Sequence, residues 1–517
     1  MPLPDSRWQS LPDRTHSIAW LIAGFTVLRL LLAATAPLLP QEAYYWSWSR
    51  HLDWSYFDHP PLATYSMVLT TALFGQSIFG IKSAAVLWAL GWNLLWVRLI
   101  LDMYGDRRLA FWSVAALNLT FVYEAFGLGP TPDSPLIFAW TGAIWAVWRL
   151  SQSGDGRWWF AAGGFIGLSM LGKYSGVLLG PVVLLYLLTS PRQRHWFGKP
   201  QPYLAGGVAI AVFAPVLIWN AQHDWVSLAF QSSRRVGEMG GFKPRYFLML
   251  VATQFLLLTP YLFVVAIGAL IRGARGGLGA SVDDRTRLLL LSGAVPILVF
   301  TLVSFRSIAK INWLAPAYWS LMILGVQYVL TREGGLRRLL RGLASSAILL
   351  LAAGLVFWIP NLPVPGDMNS WSGWQEAATR VAKAEASLRA EGRETFVFGP
   401  NYKISSLMRY YLPGQPRTYA HDIYGDKALQ FDYFPLDRDL RGATGILVVS
   451  DQDAGDLDLE RLKPWFDSVE RIETVEARAF GKVTRRVEIY RCTNYKGHPR
   501  QNAAVRAPNR GPVPQTR

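Results

Sequence analysis

Over the first 360 positions, apolar residues gather in long blocks separated by short polar stretches. A helix that crosses a bilayer needs about 20 mostly apolar residues, fewer inside a bundle. About eleven blocks meet this measure: Ile18–Leu39, Phe79–Leu101, Leu109–Phe126, Pro132–Leu150, Trp158–Leu171, Ser175–Thr189, Tyr203–Trp219, Tyr246–Ile271, Leu288–Ser304, Trp313–Leu330 and Leu343–Ile359. The two blocks around Lys173 are short. Pro61–Phe74 is apolar but too short to cross, and reads as a re-entrant or interfacial helix. The polar start, Met1–Ser17, runs into the first block without a small-residue cleavage site, so that block is expected to stay as a helix.

After Ile359 the pattern changes. Pro360–Pro365 reads as a linker, Glu376–Arg389 carries charges at helical spacing, and Thr395–Gly399, Gly445–Ser450 and Val483–Tyr490 read as strands. The expectation is a polytopic α-helical membrane protein with a small C-terminal α/β domain. Its divisions would be a transmembrane region over 1–361, a soluble domain over 362–495 and a disordered tail over 496–517.

Composition supports a membrane class. The chain of 517 residues is 51% hydrophobic with only 17% charged residues, against about 25% in ordinary globular proteins. Mean hydropathy is +0.20. The net charge of +16 would suggest nucleic acid in a soluble protein. Here the basic residues sit largely in short loops: Arg107 and Arg108; Arg157; Arg192, Arg194 and Lys199; Arg272 to Arg287; Arg332 to Arg341. Placing these loops in the cytoplasm satisfies the positive-inside rule and puts the N-terminus inside, the C-terminal domain outside. Nucleic acid is therefore not an expected partner; membrane lipids are. On the opposite face Arg234, Arg235, Lys243 and Arg245 break the trend, which points to a task for them. Cys492 is the single cysteine, so neither an intrachain disulfide nor a cysteine zinc cage is open to the chain.

The remaining polar clusters fall on that outer face. The first outer loop, QEAYYWSWSRHLDWSYFDHPPL, sets Glu42, Asp53, Asp58 and His59 among seven aromatics. An interfacial belt accounts for the aromatics but not for the acids, which apolar surroundings can poise as bases. Asp133, in GPTPDSPL, is either a helix cap or a buried functional carboxylate. Lys173 and Tyr174 interrupt an apolar run; Lys173 either snorkels to the interface or grips an anion. His223 and Asp224 follow in a later loop, and Arg306, Lys310 and Asn312 in FRSIAKINWLAPAYW.

Taken in order, EAYYW, YFDHPPL, TPDSPL, GKYSG and KINWLAPAY resemble the dolichyl-phosphate-mannose protein mannosyltransferase superfamily, which includes glycosyltransferase family 39 and the lipid A aminoarabinose transferases. The likeness runs from about Ile18 to Leu330, with a looser echo in NYKISSLMRYYLPGQP. It implies a GT-C fold, a polyprenyl-phosphate-linked sugar donor, a glycolipid or protein acceptor, and an extracytoplasmic site at the bacterial inner membrane. It also implies catalytic roles for Glu42, Asp58 and Asp133; the cations that gather on the outer face make Lys173, Tyr174, Arg306 and Lys310 the candidates for donor-phosphate binding. Tyr45, His59, Asn312, Tyr402 and Lys403 become candidate substrate contacts. Relatives open the first outer loop with Asp-Glu, where this chain has Gln41-Glu42. Either Glu42 or Asp58 is then the base, or this chain works differently. Asp58 with His223 is the candidate pair for a divalent ion, and His59 a further ligand. The alternative functions are a transporter or flippase for lipid-linked sugars, with Arg29 and Glu124 as its mid-span charges, and a non-catalytic scaffold.

Overall fold

The computed structural model describes residues 12, 16–234, 240–279, 282–358, 370–435, 437–451 and 459–498. The Pro360–Pro365 linker and the tail from residue 499 onward lie outside them. The chain forms two compact units that do not follow its linear order. One holds Met1–Thr35, His59–Ile218 and Leu228–Gly354; the other holds Ala36–Asp58, Trp219–Ser227 and Leu355–Arg517. The first outer loop thus belongs with the C-terminal region rather than with the helices around it.

The first unit is helical. Among the described residues five helices are long and apolar enough to span a bilayer: Ser17–Thr35, Ile78–Tyr104, Gln201–Gln222, Asp284–Ser304 and Gly335–Leu355. Two expected spans are broken. Leu109–Phe126 becomes Arg107–Asn118 and Phe121–Leu128, bent by 75°. There Asn118 turns its amide back to the Val114 carbonyl (2.8 Å), and Thr120 caps the second piece. Tyr246–Ile271 becomes Pro244–Leu257 and Pro260–Gly276, bent by 117°. Pro260 has no N–H to offer the preceding turn, and Thr259 takes a positive φ of 65°. Pro132–Leu150 forms one helix, Asp133–Ser153, while Trp158–Gly172, Leu179–Thr189, Ala315–Leu330 and Leu62–Phe74 are shorter.

Lipid tails are as apolar as leucine, so close packing and buried polar bonds must join these helices. A Cβ on Gly163 or Gly167 would fall 2.4 Å from the Ala205 carbonyl oxygen or 2.7 Å from that of Ala209. These two glycines, four residues apart, let two helix backbones touch. Buried indoles add bonds: Trp96 donates to Thr141 (3.1 Å) and Trp140 to Ser292 (3.0 Å). The mid-span exceptions, buried Arg29 and half-buried Glu124, form one ion pair, with Nη2 2.6 Å from Oε1. Arg29 also donates to Asn118 (2.6 Å), which in turn donates to Asn93 (2.7 Å).

The second unit is built on a five-stranded sheet. The strands are β1 (Thr395–Phe398), β2 (Thr418–Tyr419), β3 (Thr444–Ser450), β4 (Ser468–Ala479) and β5 (Lys482–Thr493). Their order is β2-β1-β3-β5-β4, with β1 parallel to β2 and β3, and β5 antiparallel to both its neighbours. Every residue of β3 is buried, as a central strand requires. β4 and β5 join through Phe480 and Gly481, both at positive φ, the two-residue turn that matches strand twist. The expected helix appears as Trp374–Ala390. The first outer loop opens with a helix, Pro40–Ser49, seated on the Tyr402–Tyr411 helix through Tyr44 against Tyr402 (4.3 Å between ring centres) and Trp46 against Tyr410 (5.2 Å).

Candidate active site

In the helical unit, Asp133 opens the Asp133–Ser153 helix but does not cap it. Its carboxylate faces Lys173, with Nζ 2.8 and 2.9 Å from its two oxygens, and Asn312 Nδ2 adds a third bond at 2.7 Å. Both charged residues are buried. Three distant segments therefore meet at one carboxylate. The Trp158–Gly172 helix ends just before Lys173, whose extended backbone turns the chain into a 3₁₀ segment. Lys173 does not snorkel, and its charge is already countered by Asp133.

Lys173 also borders a cavity of about 700 Å³, with His59, Tyr174, Lys243, Arg306 and Lys310 around it. Arg306 and Lys310 are exposed and lie in the irregular turn between the Asp284–Ser304 and Ala315–Leu330 helices. Among the described residues, Lys243, Arg306 and Lys310 have no carboxylate within ion-pair distance. The cavity is thus a concave, cationic space beside apolar Val299, Val303 and Trp313. Such a lining suits an anionic headgroup carrying an apolar chain.

The other unit holds the first-loop candidates. Glu42 is buried and accepts from the Leu39 backbone N–H at 2.9 Å, which closes the start of its own helix. Asp58 accepts from the Tyr44 hydroxyl, which itself accepts from the Gln430 backbone N–H (3.0 Å). Gln430 Oε1 takes the Phe57 N–H (2.7 Å). Burial, and then the Asp58 charge, raise the Tyr44 pKa well above the ordinary phenol value, so Tyr44 stays a donor. Tyr402 donates to Gln41 Oε1 at 3.4 Å. Tyr45 packs edge-on against Trp48 (4.9 Å). Lys403 contributes its backbone N–H to the Asn401 cap (3.0 Å).

Three comparisons bear on this arrangement. Residues 58–219 match the family model described as dolichyl-phosphate-mannose-protein mannosyltransferase. Over 367 residues, 70% of this chain and 76% of the relative, the sequence is 26% identical to the lipid A galacturonosyltransferase RgtD of Rhizobium johnstonii. In fold, it is similar to ArnT from Cupriavidus metallidurans: the apo structure gives a TM-score of 0.62 at 15% identity, covering 91% of this chain and 97% of that one. The same protein bound to undecaprenyl phosphate gives 0.57 at 16% identity, with 92% and 98% covered.

The chain is a glycosyltransferase with a GT-C fold.

This glycosyltransferase is a multi-pass membrane protein, as expected, with the polar motifs of residues 58–219 inside the matched region. His223 stacks on Trp219 (4.0 Å between ring centres) and donates from Nδ1 to the Trp219 carbonyl at 2.8 Å. Among the described residues no three His, Cys, Asp or Glu side chains gather as a metal cage, so Asp58, His59 and His223 do not form one. Sequence reasoning passed over Tyr44 in favour of Tyr45. The signal was available only once Pro40–Ser49 is known to be helical, because Gln41 and Tyr44 then share a face. Lys243, for which the sequence points to a task without saying which, borders the cavity. Arg235, and the side chain of Arg234, lie outside the described residues.

Proposed function

We propose that the protein transfers a sugar from a polyprenyl phosphate to lipid A on the extracytoplasmic side of the inner membrane, with its N-terminus cytoplasmic. The cationic, partly apolar cavity bordered by Lys173, Arg306 and Lys310 carries this reading. The name of the Rhizobium relative supports lipid A as acceptor, and the undecaprenyl phosphate held by the Cupriavidus structure supports the donor class.

In the reaction, an acceptor hydroxyl attacks the anomeric carbon, the bond from that carbon to the phosphate oxygen breaks, and its electron pair leaves with the phosphate. Arg306, Lys310 and Lys243 meet the charge that grows there, and Tyr174 adds a hydroxyl at the same wall. Asp133 and Asn312 hold Lys173 in place, so Asp133 acts as an orienting group rather than as the base. Asp58 takes the acceptor's proton. It is favoured over Glu42, whose carboxylate already closes a helix start. The galacturonosyl group in the relative's name supports a uronic acid as the sugar. Three cations without a carboxylate partner also exceed the charge of about −1.5 to −2 on a phosphate monoester.

Reconstituted protein given labelled polyprenyl-phosphate galacturonate and lipid A should release polyprenyl phosphate and label lipid A. Label crossing intact vesicles still attached to its carrier would instead establish a flippase. Equal donor KM for galacturonate and galactose carriers would remove the uronic acid.

A further inference from the structure

A second concentration of positive charge lies in the unit that carries the sheet. Arg50 caps the Pro40–Ser49 helix and His51 follows it; Arg409 sits in the last turn of the Tyr402–Tyr411 helix; Arg417 precedes β2. Arg409 is 6% exposed, yet its Nε is sealed off without a hydrogen-bond partner, as are Arg417 Nε and His51 Nε2. No carboxylate lies within ion-pair distance of Arg409 among the described residues. The nearby acid is Asp437, 3.8 Å from Arg417 Nε and itself accepting from the Tyr419 hydroxyl at 2.6 Å.

These groups repel one another. Burial, then Arg417 and Arg50, bring the Arg409 guanidinium down to about 10. Burial, then Arg409 and Arg417, push His51 down to about 3, so it is neutral at physiological pH. Helix C-termini welcome a cation, which accounts for some of Arg50 and Arg409. They do not supply the missing acceptor for a buried guanidinium, whose donors are costly to leave unmet. An anionic ligand would supply it, and the planar fork of arginine fits a phosphate or carboxylate with two parallel bonds.

We propose that Arg409, Arg417 and Arg50 form an anion site that recognises a phosphate or carboxylate on the saccharide of the glycolipid acceptor. The inference rests on the reading of the protein as a glycolipid glycosyltransferase. It adds a specificity site whose residues are not among those bordering the cationic cavity. Neutral His51, tilted over Phe434 at 4.6 Å, gives the site an uncharged wall beside the arginines.

The test is equilibrium binding to full-length protein in nanodiscs with no donor present. The probes are fluorescent lipid A, its dephosphorylated form, and a form carrying a uronate in place of phosphate. Wild type should prefer a charged lipid over the neutral one at least tenfold, and which charged lipid wins identifies the group. Arg409→Gln should erase the preference, and Arg50→Gln, at an exposed position tolerant of change, should reduce it about threefold. Binding of the neutral lipid should hold steady in both. In transfer assays, acceptor KM should rise at least tenfold in Arg409→Gln while donor KM does not. Equal weakening toward charged and neutral lipids, an unchanged preference in both variants, or full displacement by an acidic peptide would overturn the site. Binding is read without donor, so absent sugar transfer would count against the proposed function alone.

Discussion

Arg29–Glu124 and Lys173–Asp133 are both cation–carboxylate pairs with a buried cation in the helical unit, with closest contacts of 2.6 and 2.8 Å. Their surroundings differ. Arg29 also donates to the Asn118 amide, itself held by Asn93, and a Cβ on Gly127 would fall 2.6 Å from its Nε, so protein packs closely against it. Lys173 has Asp133 and Asn312 on one side and the cavity on the other. The first pair ties three helical segments together; the second ties segments together and keeps a wall of the cavity in shape. A charge within a membrane helix is a functional candidate by default, and here the open space beside Lys173 makes its pair the stronger candidate of the two.

The sharpest way to break this contrast is Asp133→Ala. It strands a buried ammonium, which costs about 3–5 kcal/mol, and transfer by the molecules that remain folded should fall at least about 100-fold, a loss of roughly 2.7 kcal/mol or more in transition-state stabilisation. Melting and single-turnover rates measured together would show both. Arg29→Ala should cost a similar 3–5 kcal/mol in stability, yet rate per folded molecule should stay within about twofold. A larger loss would place Arg29 in the mechanism. Next, Lys310→Ala should raise donor KM about tenfold, in keeping with roughly 1.5 kcal/mol for one hydrogen bond to a charged group. Unaltered donor KM in Lys310→Ala and Arg306→Ala alike would empty the cavity of its assigned phosphate.

The smallest effect extends the comparison to an acid on which the largest charge effect comes from another acid. Burial, then neighbouring Asp432, raise Asp422 to about 7, against about 3.9 in an unfolded chain. Between those values the folded protein keeps a proton that the unfolded chain has lost. Its contribution is therefore whole below about pH 4 and is lost as pH rises through 7. Asp422→Asn should raise the unfolding midpoint at pH 8 by a few degrees, on the order of 2 kcal/mol, and leave it unchanged at pH 4. An equal shift at both pH values would exclude titration as the cause.

Much of this was legible in the chain. The apolar blocks located the helices, since a bilayer demands length and hydropathy from each segment by itself. The breaks at Asn118–Thr120 and Thr259–Pro260 were not, because each lies inside an apolar run and depends on a local side-chain bond or backbone angle. Of the candidate site, Lys173, Tyr174, Arg306 and Lys310, grouped by the sequence, all border one cavity. The bond between Lys173 and Asp133 was missed, since 40 residues separate them and periodicity carries no information about pairing at that range. The same limit hid the placement of Pro40–Ser49 on the Tyr402–Tyr411 helix, some 360 residues away.

The sequence by itself determined the membrane class, the positions of most helices and strands, and the family resemblance, because each rests on residues close together in the chain. Tertiary structure alone decided which charges cancel and which face open space. Asp133 neutralises Lys173, Glu124 neutralises Arg29, and Arg409 has no such acid within reach among the described residues. Such pairing depends on distances of a few ångströms between segments far apart in the chain, where Coulomb attraction and desolvation, rather than local pattern, set the outcome.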